Sequence, residues 1–432
     1  MAVKRRLLWP RNARTKLNYP ASVHTTAVSD TRAMLTAYLF ATVVSLVLTA
    51  PLDNGNFDGI NHFSLKLLEN TYAYQDNFGS HNVAISPTSV WSVFTLLTEG
   101  STGDTFHELM MGLNLPTDLR TTQMLHLAVR DLLRSGSKDV TLRGQKVMFT
   151  DGSLQVHEEF CRREFDASIK ILDFKDPNTA ARIANNYIQN FGGRVSNVLK
   201  SDDFAESRMI LTNVISFKGL WTFPFNKSET TRQLFYNEDR QTIGEVNMMY
   251  QKAEIAFSSI SDLKAFVIEL PYGNDNKYSM LIFLPHYNVK VADMYKNFAK
   301  VSLKDVLERL QQDTDEFGLT EIEVQIPRFH ISTNVVLNKP LNYMGVYDIF
   351  EPGLANFDRA TKEKIFVSAI VHKADIEVTE SGTVASAIST ATFADRISTP
   401  RFQANKPFVY FIMEKTTTTM IFGGIYSKPT VY

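Results

Sequence analysis

Residues 379–402 read TESGTVASAISTATFADRISTPRF, and Thr, Ser, Ala and Gly fill most of the stretch. Loops longer than about a dozen residues are uncommon inside compact domains and are usually functional or disordered. The segment leading into it, KADIEVTE at 373–380, alternates Ala374, Ile376 and Val378 with polar residues, as a strand does. That alternation does not stop where the loop begins. Stepping by two from Thr383 gives Thr383, Ala385, Ala387, Ser389, Ala391 and Phe393, which share one face of an extended chain. All but Phe393 are small, so this face can slide onto a core without steric conflict. The opposite face carries Val384, Ser386, Ile388, Thr390 and Thr392, a largely β-branched set suited to a strand. Gly382 supplies a flexible joint at the base. The segment is written as a strand and placed where a loop must be.

The rest of the 432-residue chain is ordinary by comparison. It is 44% hydrophobic and 21% charged with formal net charge −1, a globular composition that gives no electrostatic reason to expect a nucleic-acid partner. The length allows one large domain or two or three smaller ones. A single cysteine, Cys161, excludes an intramolecular disulfide and any Cys-x-x-Cys metal cluster, and reads as a small buried hydrophobe.

Residues 34–50, MLTAYLFATVVSLVLTA, form an uncharged apolar run behind a basic leader. The run is short for a membrane span and long enough for the core of a signal peptide. Three readings are open: residues 1–33 as a gene-model extension with Met34 as the start, a signal with a long basic leader, or an anchor. The reading adopted is a removed secretory signal over 1–50 with cleavage near Ala50, although Pro51 leaves the bond itself open.

Beyond residue 55 the pattern is that of folded protein. Ile60, Phe63 and Leu67, then Val90, Val93, Phe94 and Leu97, recur at helical spacing, with Gly100 as a stop. Thr105 and Glu108 have the spacing of a capping box. Further helices are expected at 118–135, 155–168, 178–190 and 291–311. EIEVQIP at 321–327 alternates as a half-buried strand, SMLIFLP at 279–285 reads as a fully buried one, and FVYFIM and MIFGGIY flank EKTTTT as a hairpin. No repeat, heptad seam or linker interrupts the pattern, so 51–432 reads as one α+β domain.

Motifs of catalysis are missing: no G-x-S-x-G, no phosphate loop, no G-x-G-x-x-G and no H-E-x-x-H. His157-Glu158-Glu159 reads as the polar face of a helix. Arg120, Arg130, Arg134 and Lys138 could meet a polyanion such as a glycosaminoglycan, but acidic residues interleave and a solvated face is the simpler reading. Asn226-Lys227-Ser228 is an N-glycosylation sequon, which matters only in a secreted chain.

With these pieces in place the sequence resembles the serpin family over about 57–430. TESGTVASA matches the family's hinge, FQANKPFVYFI the signature after its reactive loop, and LTNVISFKGLWTFPF its Asn-x-x-x-Phe-Lys-Gly-x-Trp-x-x-x-Phe block. NVAISPTSV, VNMM, ELPYGNDNKYSMLIFLP, LNYMGVYDIF and IVHKADIEV follow in the family's order. The resemblance implies about nine helices, three β-sheets and an exposed reactive-centre loop at about 380–402. It further implies a monomeric, cofactor-free and metal-free inhibitor rather than an enzyme. Its partner would be a serine protease, held as a covalent acyl complex while the cleaved loop enters the main sheet as a strand.

The family places the cut 16 residues past the hinge Glu, which from Glu380 gives Arg396-Ile397, and counting back from Pro407 reaches the same bond. An arginine there suits a trypsin-like protease, whose pocket offers a carboxylate. The hinge would be Glu380, Gly382, Thr383, Ala385 and Ala387. Ser86, Ser89, Asn213 and His372 would lie beneath the sheet opening, with Trp221 near the point of entry. Three positions depart from the pattern: Ile388 is larger than usual but on the outward face, Gly424 replaces a residue that is often basic, and Tyr187 stands where Trp is usual. The alternative within the family is a non-inhibitory carrier, chaperone or substrate, against which the small residues at Thr383, Ala385 and Ala387 argue.

Overall fold

Nine α-helices and three β-sheets make up the described residues of the computed structural model, which are 54–76, 82–155, 167–192, 198–205, 207–381 and 399–430. The N-terminal segment 1–50, the helix expected at 155–168 with His157 and Cys161, and the loop positions Gly382, Thr383, Ala385, Ala387, Ile388, Arg396 and Ile397 fall wholly or mostly outside them. No helix among the described residues is long and apolar enough to cross a membrane.

The helices are α1 (Asp58–Asp76), α2 (Pro87–Gly100), α3 (Gly103–Gly112), α4 (Leu119–Arg134), α5 (Pro177–Gly192), α6 (Asp202–Ala205), α7 (Val291–Tyr295), α8 (Leu303–Phe317) and α9 (Asn338–Asn342). One sheet orders β1 (Val83–Ile85), β15 (Thr419–Tyr426), β14 (Phe408–Glu414), β9 (Tyr278–Pro285), β8 (Ala265–Tyr272) and β7 (Phe257–Ile260). A second orders β13 (Arg401–Gln403), β10 (Thr320–Pro327), β6 (Thr242–Ile255) and β5 (Thr231–Tyr236). The third, which carries the functional argument, runs β11 (Phe329–Val336), β12 (Ala369–Val378), β4 (Met209–Gly219), β2 (Val140–Asp151) and β3 (Ala167–Leu172).

α2 is buried almost all round, and its composition explains how. Pro87 opens it at a position that needs no N–H donor. Its threonine hydroxyls satisfy themselves on the preceding turn, Thr95 on Trp91 O at 2.9 Å and Thr98 on Phe94 O at 2.9 Å. The helix therefore runs through the main core with Trp91 and Phe94 packed and few polar groups left over. A smaller core, with Val147, Phe149, Ala184 and Ile188, fills the opposite face of the third sheet beneath α5.

Two local expectations are corrected. The run 291–311 is not one helix, because Ser302 starts a new one: its hydroxyl accepts from Asp305 N at 3.1 Å while the Asp305 carboxylate accepts from Ser302 N at 2.8 Å. Thr105 and Glu108 do not form a capping box either. Thr102 is the N-cap of α3, Thr105 is buried within the helix, and the Glu108 carboxylate accepts from Tyr347 N and Asp348 N instead. The remaining elements follow the expected order. β9 is buried at every position, and β14 and β15 form the hairpin around EKTTTT.

Candidate functional site

Two features of the third sheet meet at the base of the 379–402 stretch. The first is a seam. β12 and β4 pair in parallel over eight positions, from Ala369 opposite Ile210 to Ile376 opposite Phe217. β12 then runs through Thr379 and Glu380 straight into the hinge.

The second feature is what grips the chain there. The Trp221 indole N–H donates to Thr379 O at 2.9 Å, and Phe225 N donates to Glu380 O at 2.7 Å. Trp221 itself stacks on Tyr272, ring centroids 4.3 Å apart and nearly coplanar at 12°. Glu380 is only 2% exposed, unusual for a glutamate, and its carboxylate is held by the Thr230 hydroxyl at 2.9 Å and by Arg328 at 3.6 Å. A buried carboxylate with both a hydroxyl donor and a cation is stable where it sits and costly to leave half-paired. The chain leaving β4 thus holds the chain leaving β12 by two main-chain carbonyls, while Thr230 and Arg328 hold the Glu380 side chain.

Beneath the seam, α2 lies along a polar row that crosses the strands. Ser86 N donates to His372 Nε2 at 3.0 Å, and the Ser86 hydroxyl donates to Ile421 O at 2.6 Å. One turn on, the Ser89 hydroxyl donates to Asn213 Oδ1 at 2.7 Å. His372 and Asn213 are direct cross-strand partners across the seam. The structure thus brings Ser86, Ser89, Asn213 and His372 into one cluster. Burial holds His372 down to about 4, so it is neutral at physiological pH, and accepting from Ser86 at Nε2 leaves its proton on Nδ1. The Asn213 backbone partly opposes that shift, although Nδ1 makes no hydrogen bond of ordinary geometry. The neutral imidazole serves here as the acceptor that ties the Ser86 N–H to β12.

A third rung extends the row, and sequence reasoning missed it. Lys146 on β2 is the partner of Asn213 on the next strand, and its amine donates to the Ser92 hydroxyl of α2. The Ser86, Ser89, Ser92 spacing is readable in SPTSVWS, and the family resemblance groups the first two with Asn213 and His372; nothing in the sequence points to Lys146 as the partner of Ser92. Thr230 and Arg328, which hold Glu380, carry no local signal at all.

The other candidate residues separate. Asn226 is exposed and directly follows Phe225 of the hinge grip, with its side-chain oxygen accepting from Ser228 N at 3.1 Å and from the Ser228 hydroxyl at 2.8 Å. Arg130 pairs with its neighbour Asp131 at 2.9 Å, and Arg120 and Arg134 share its helix while Lys138 lies in the turn after it. Tyr187 packs on the smaller core and carries the Lys170 amine over its ring at 4.6 Å. At Gly424 a Cβ would sit 2.2 Å from the Tyr410 ring and 2.5 Å from Val83 O, so both the side chain and the neighbouring strand's backbone demand glycine. No group of three or more His, Cys, Asp or Glu among the described residues could hold a metal ion.

Comparison with known proteins gives one consistent result. The family model described as Serpin (serine protease inhibitor) matches residues 58–429. The chain is 30% identical to Antithrombin-III of Homo sapiens over 81% of this chain and 77% of that protein. It is 30% identical to Leukocyte elastase inhibitor of Homo sapiens, over 83% of this chain and 96% of the relative. Among solved structures, serine protease inhibitor 12 of Manduca sexta aligns with a TM-score of 0.74 at 22% identity, covering 86% of this chain and 99% of that one. Serpin48 of Tenebrio molitor aligns at 0.70 and 22% identity, covering 88% and 100%.

Proposed function

The chain belongs to the serpin family, and from that premise we propose that it is a secreted suicide-substrate inhibitor of trypsin-like serine proteases, cut at Arg396-Ile397. The observation that carries the reading is the seam: a parallel strand pair of which one member, β12, leads directly into a segment written as a further strand.

The steps follow from the residues. A protease serine attacks the Arg396 carbonyl carbon, the bond to Ile397 nitrogen breaks, and that nitrogen leaves with a proton. The protease stays esterified to Arg396. Freed at its far end, the segment from about Thr383 enters between β12 and β4 and draws the tethered protease with it. Opening the seam costs its eight paired positions. Two new ladders of comparable length replace it, a net gain of roughly eight backbone hydrogen bonds or about 4–12 kcal/mol. That range suffices to distort a tethered protease before water resolves the ester. It also makes the uncut form a kinetically trapped one.

Mixing the protein with trypsin and running a denaturing gel tests this. A band resistant to SDS is the expected result, and Arg396→Ala should abolish it. A clean cut with no complex would instead favour a non-inhibitory member that serves as substrate, and no reaction at Arg396 would defeat the trypsin-like assignment. N-terminal sequencing of protein from the medium should begin near residue 51, and a chain still carrying residues 1–33 would refute the signal reading.

A further inference from the structure

Lys146 is the odd member of the polar row. Its two companions are neutral, Asn213 with Ser89 and His372 with Ser86, whereas Lys146 brings a titratable amine to the third rung. The side chain is 8% exposed, and the Ser92 hydroxyl is its hydrogen-bond partner. Among the described residues, the elements packed around it offer no counter-charge. α4 presents His126, Arg130 and Arg134, β4 presents Asn213, β3 places Ala167 opposite, and α2 supplies Ser92. No Asp or Glu among the described residues acts on the amine. His126 is itself buried, neither ring nitrogen has a hydrogen-bond partner among the described residues, and so it provides no acceptor bond to Lys146.

α2 acts as a beam under three strands. Ser86 ties it to β12, Ser89 to β4 and Ser92 to β2. Parting β4 from β12 must slide one side of the seam over this beam. Either the Ser86 rung breaks, or the Ser89 and Ser92 rungs break together. A neutral amine sits in the Ser92 rung at little cost. A charged one is desolvated there beside two arginines, so any shift that admits water relieves it.

We propose that Lys146 is a positioning residue for loop insertion, and that taking up a proton at its amine loosens the seam through which the strand enters. The inference rests on the insertion reading above. Burial first, then Arg134 and Arg130, hold this amine down to about 7, against 10.5 for a free lysine. Opening therefore speeds up as pH falls from 9 towards 7. His126 and His372, held down to about 4, stay neutral throughout that window.

The test uses the intact protein and a synthetic peptide of residues 383–394, capped at both ends, which contains no ionisable group. Its uptake into the sheet is followed on native gels at pH 7, 8 and 9. If opening restores about one unit of the lost basicity, uptake should be about fivefold faster at pH 7 than at pH 9. Lys146→Gln and Lys146→Met should both flatten that profile, while a merely structural lysine would change the rate and keep its slope. A wild-type profile already flat, or a slope retained in both variants, overturns the role of Lys146 and leaves insertion standing. Failure of the peptide to enter at any pH overturns insertion itself, and this inference with it.

Discussion

Acid should destabilise this protein through two buried imidazoles, and the size of the effect follows from where they sit. His372 lies under the seam and His126 on the inner face of α4, each held down to about 4 chiefly by burial. Both are near 6.5 in the unfolded chain, so between pH 6.5 and 4 the unfolded chain binds more protons than the fold. Stability is then fully present above pH 6.5 and is lost as pH falls towards 4. From pH 7.5 to 4.5 the loss is about 2.5 kcal/mol per histidine, or about 5 kcal/mol for both. Unfolding entropy of about 2.1 cal/mol/K per residue over roughly 370 residues is about 0.8 kcal/mol/K, so the thermal transition should drop by about 6 °C. Because the uncut form is proposed to be trapped, the scans should share one heating rate. His126→Leu isolates half of the effect. Neither nitrogen of His126 has a hydrogen-bond partner among the described residues, so the substitution should not lower the transition at pH 7.5. It should shrink the acid shift by about 3 °C relative to wild type. Other acid-sensitive groups, such as the His330–Asp375 pair at 2.9 Å, are common to both proteins and cancel in the comparison. A variant whose transition falls as far as that of wild type would refute the argument.

Three further outcomes follow. Trp221→Phe keeps an aromatic ring against Tyr272 but deletes the donor to Thr379 O, so peptide uptake should quicken by about two- to tenfold, the kinetic equivalent of 0.5–1.5 kcal/mol; an unchanged rate would remove Trp221 from the grip. Gly424→Ala should cost about 1–3 kcal/mol in urea unfolding because its methyl meets the Tyr410 ring, and Tyr410→Leu in the same chain should recover part of it. Thr383→Arg places a charge on the inward face of the inserting strand and should turn a trypsin inhibitor into a trypsin substrate, read as loss of the SDS-resistant band with cleavage retained.

The sequence was most informative where the chemistry is local. Periodicity alone marks β12 and continues past it, so the loop's strand character needs no tertiary information. Ser86, Ser89, Asn213 and His372 came from resemblance, and the fold joins them because α2 repeats serine every third residue beneath adjacent strands. What stayed hidden was pairing at long range. Lys146 reads as one more charge in LRGQKV, and nothing near it says that β2 lies beside β4. Glu380 is legible as a hinge residue, but its partners Thr230 and Arg328 are not. Local signals also misled when a better partner existed elsewhere: Glu108 has the spacing of a cap but is taken by the backbone at Tyr347 and Asp348.

Under the proposed insertion, strand direction would confine entry to the β4–β12 seam. A segment turning back after Glu380 runs antiparallel to β12 and can reach only β12's two neighbours, β11 and β4. β11 is antiparallel to β12, so a strand entering there would match β11 in parallel. β4 is parallel to β12, so a strand entering on that side is antiparallel to both. Antiparallel ladders are slightly the more stable per residue, and a short turn can join them. Sequence order and sheet order thus leave a single slot that exchanges one parallel ladder for two antiparallel ones. Trp221 and Phe225, on the chain just past β4, hold Thr379 and Glu380, just past β12, at the mouth of that slot. Of the two seams beside β12, the grip therefore closes the one where an added strand gains more.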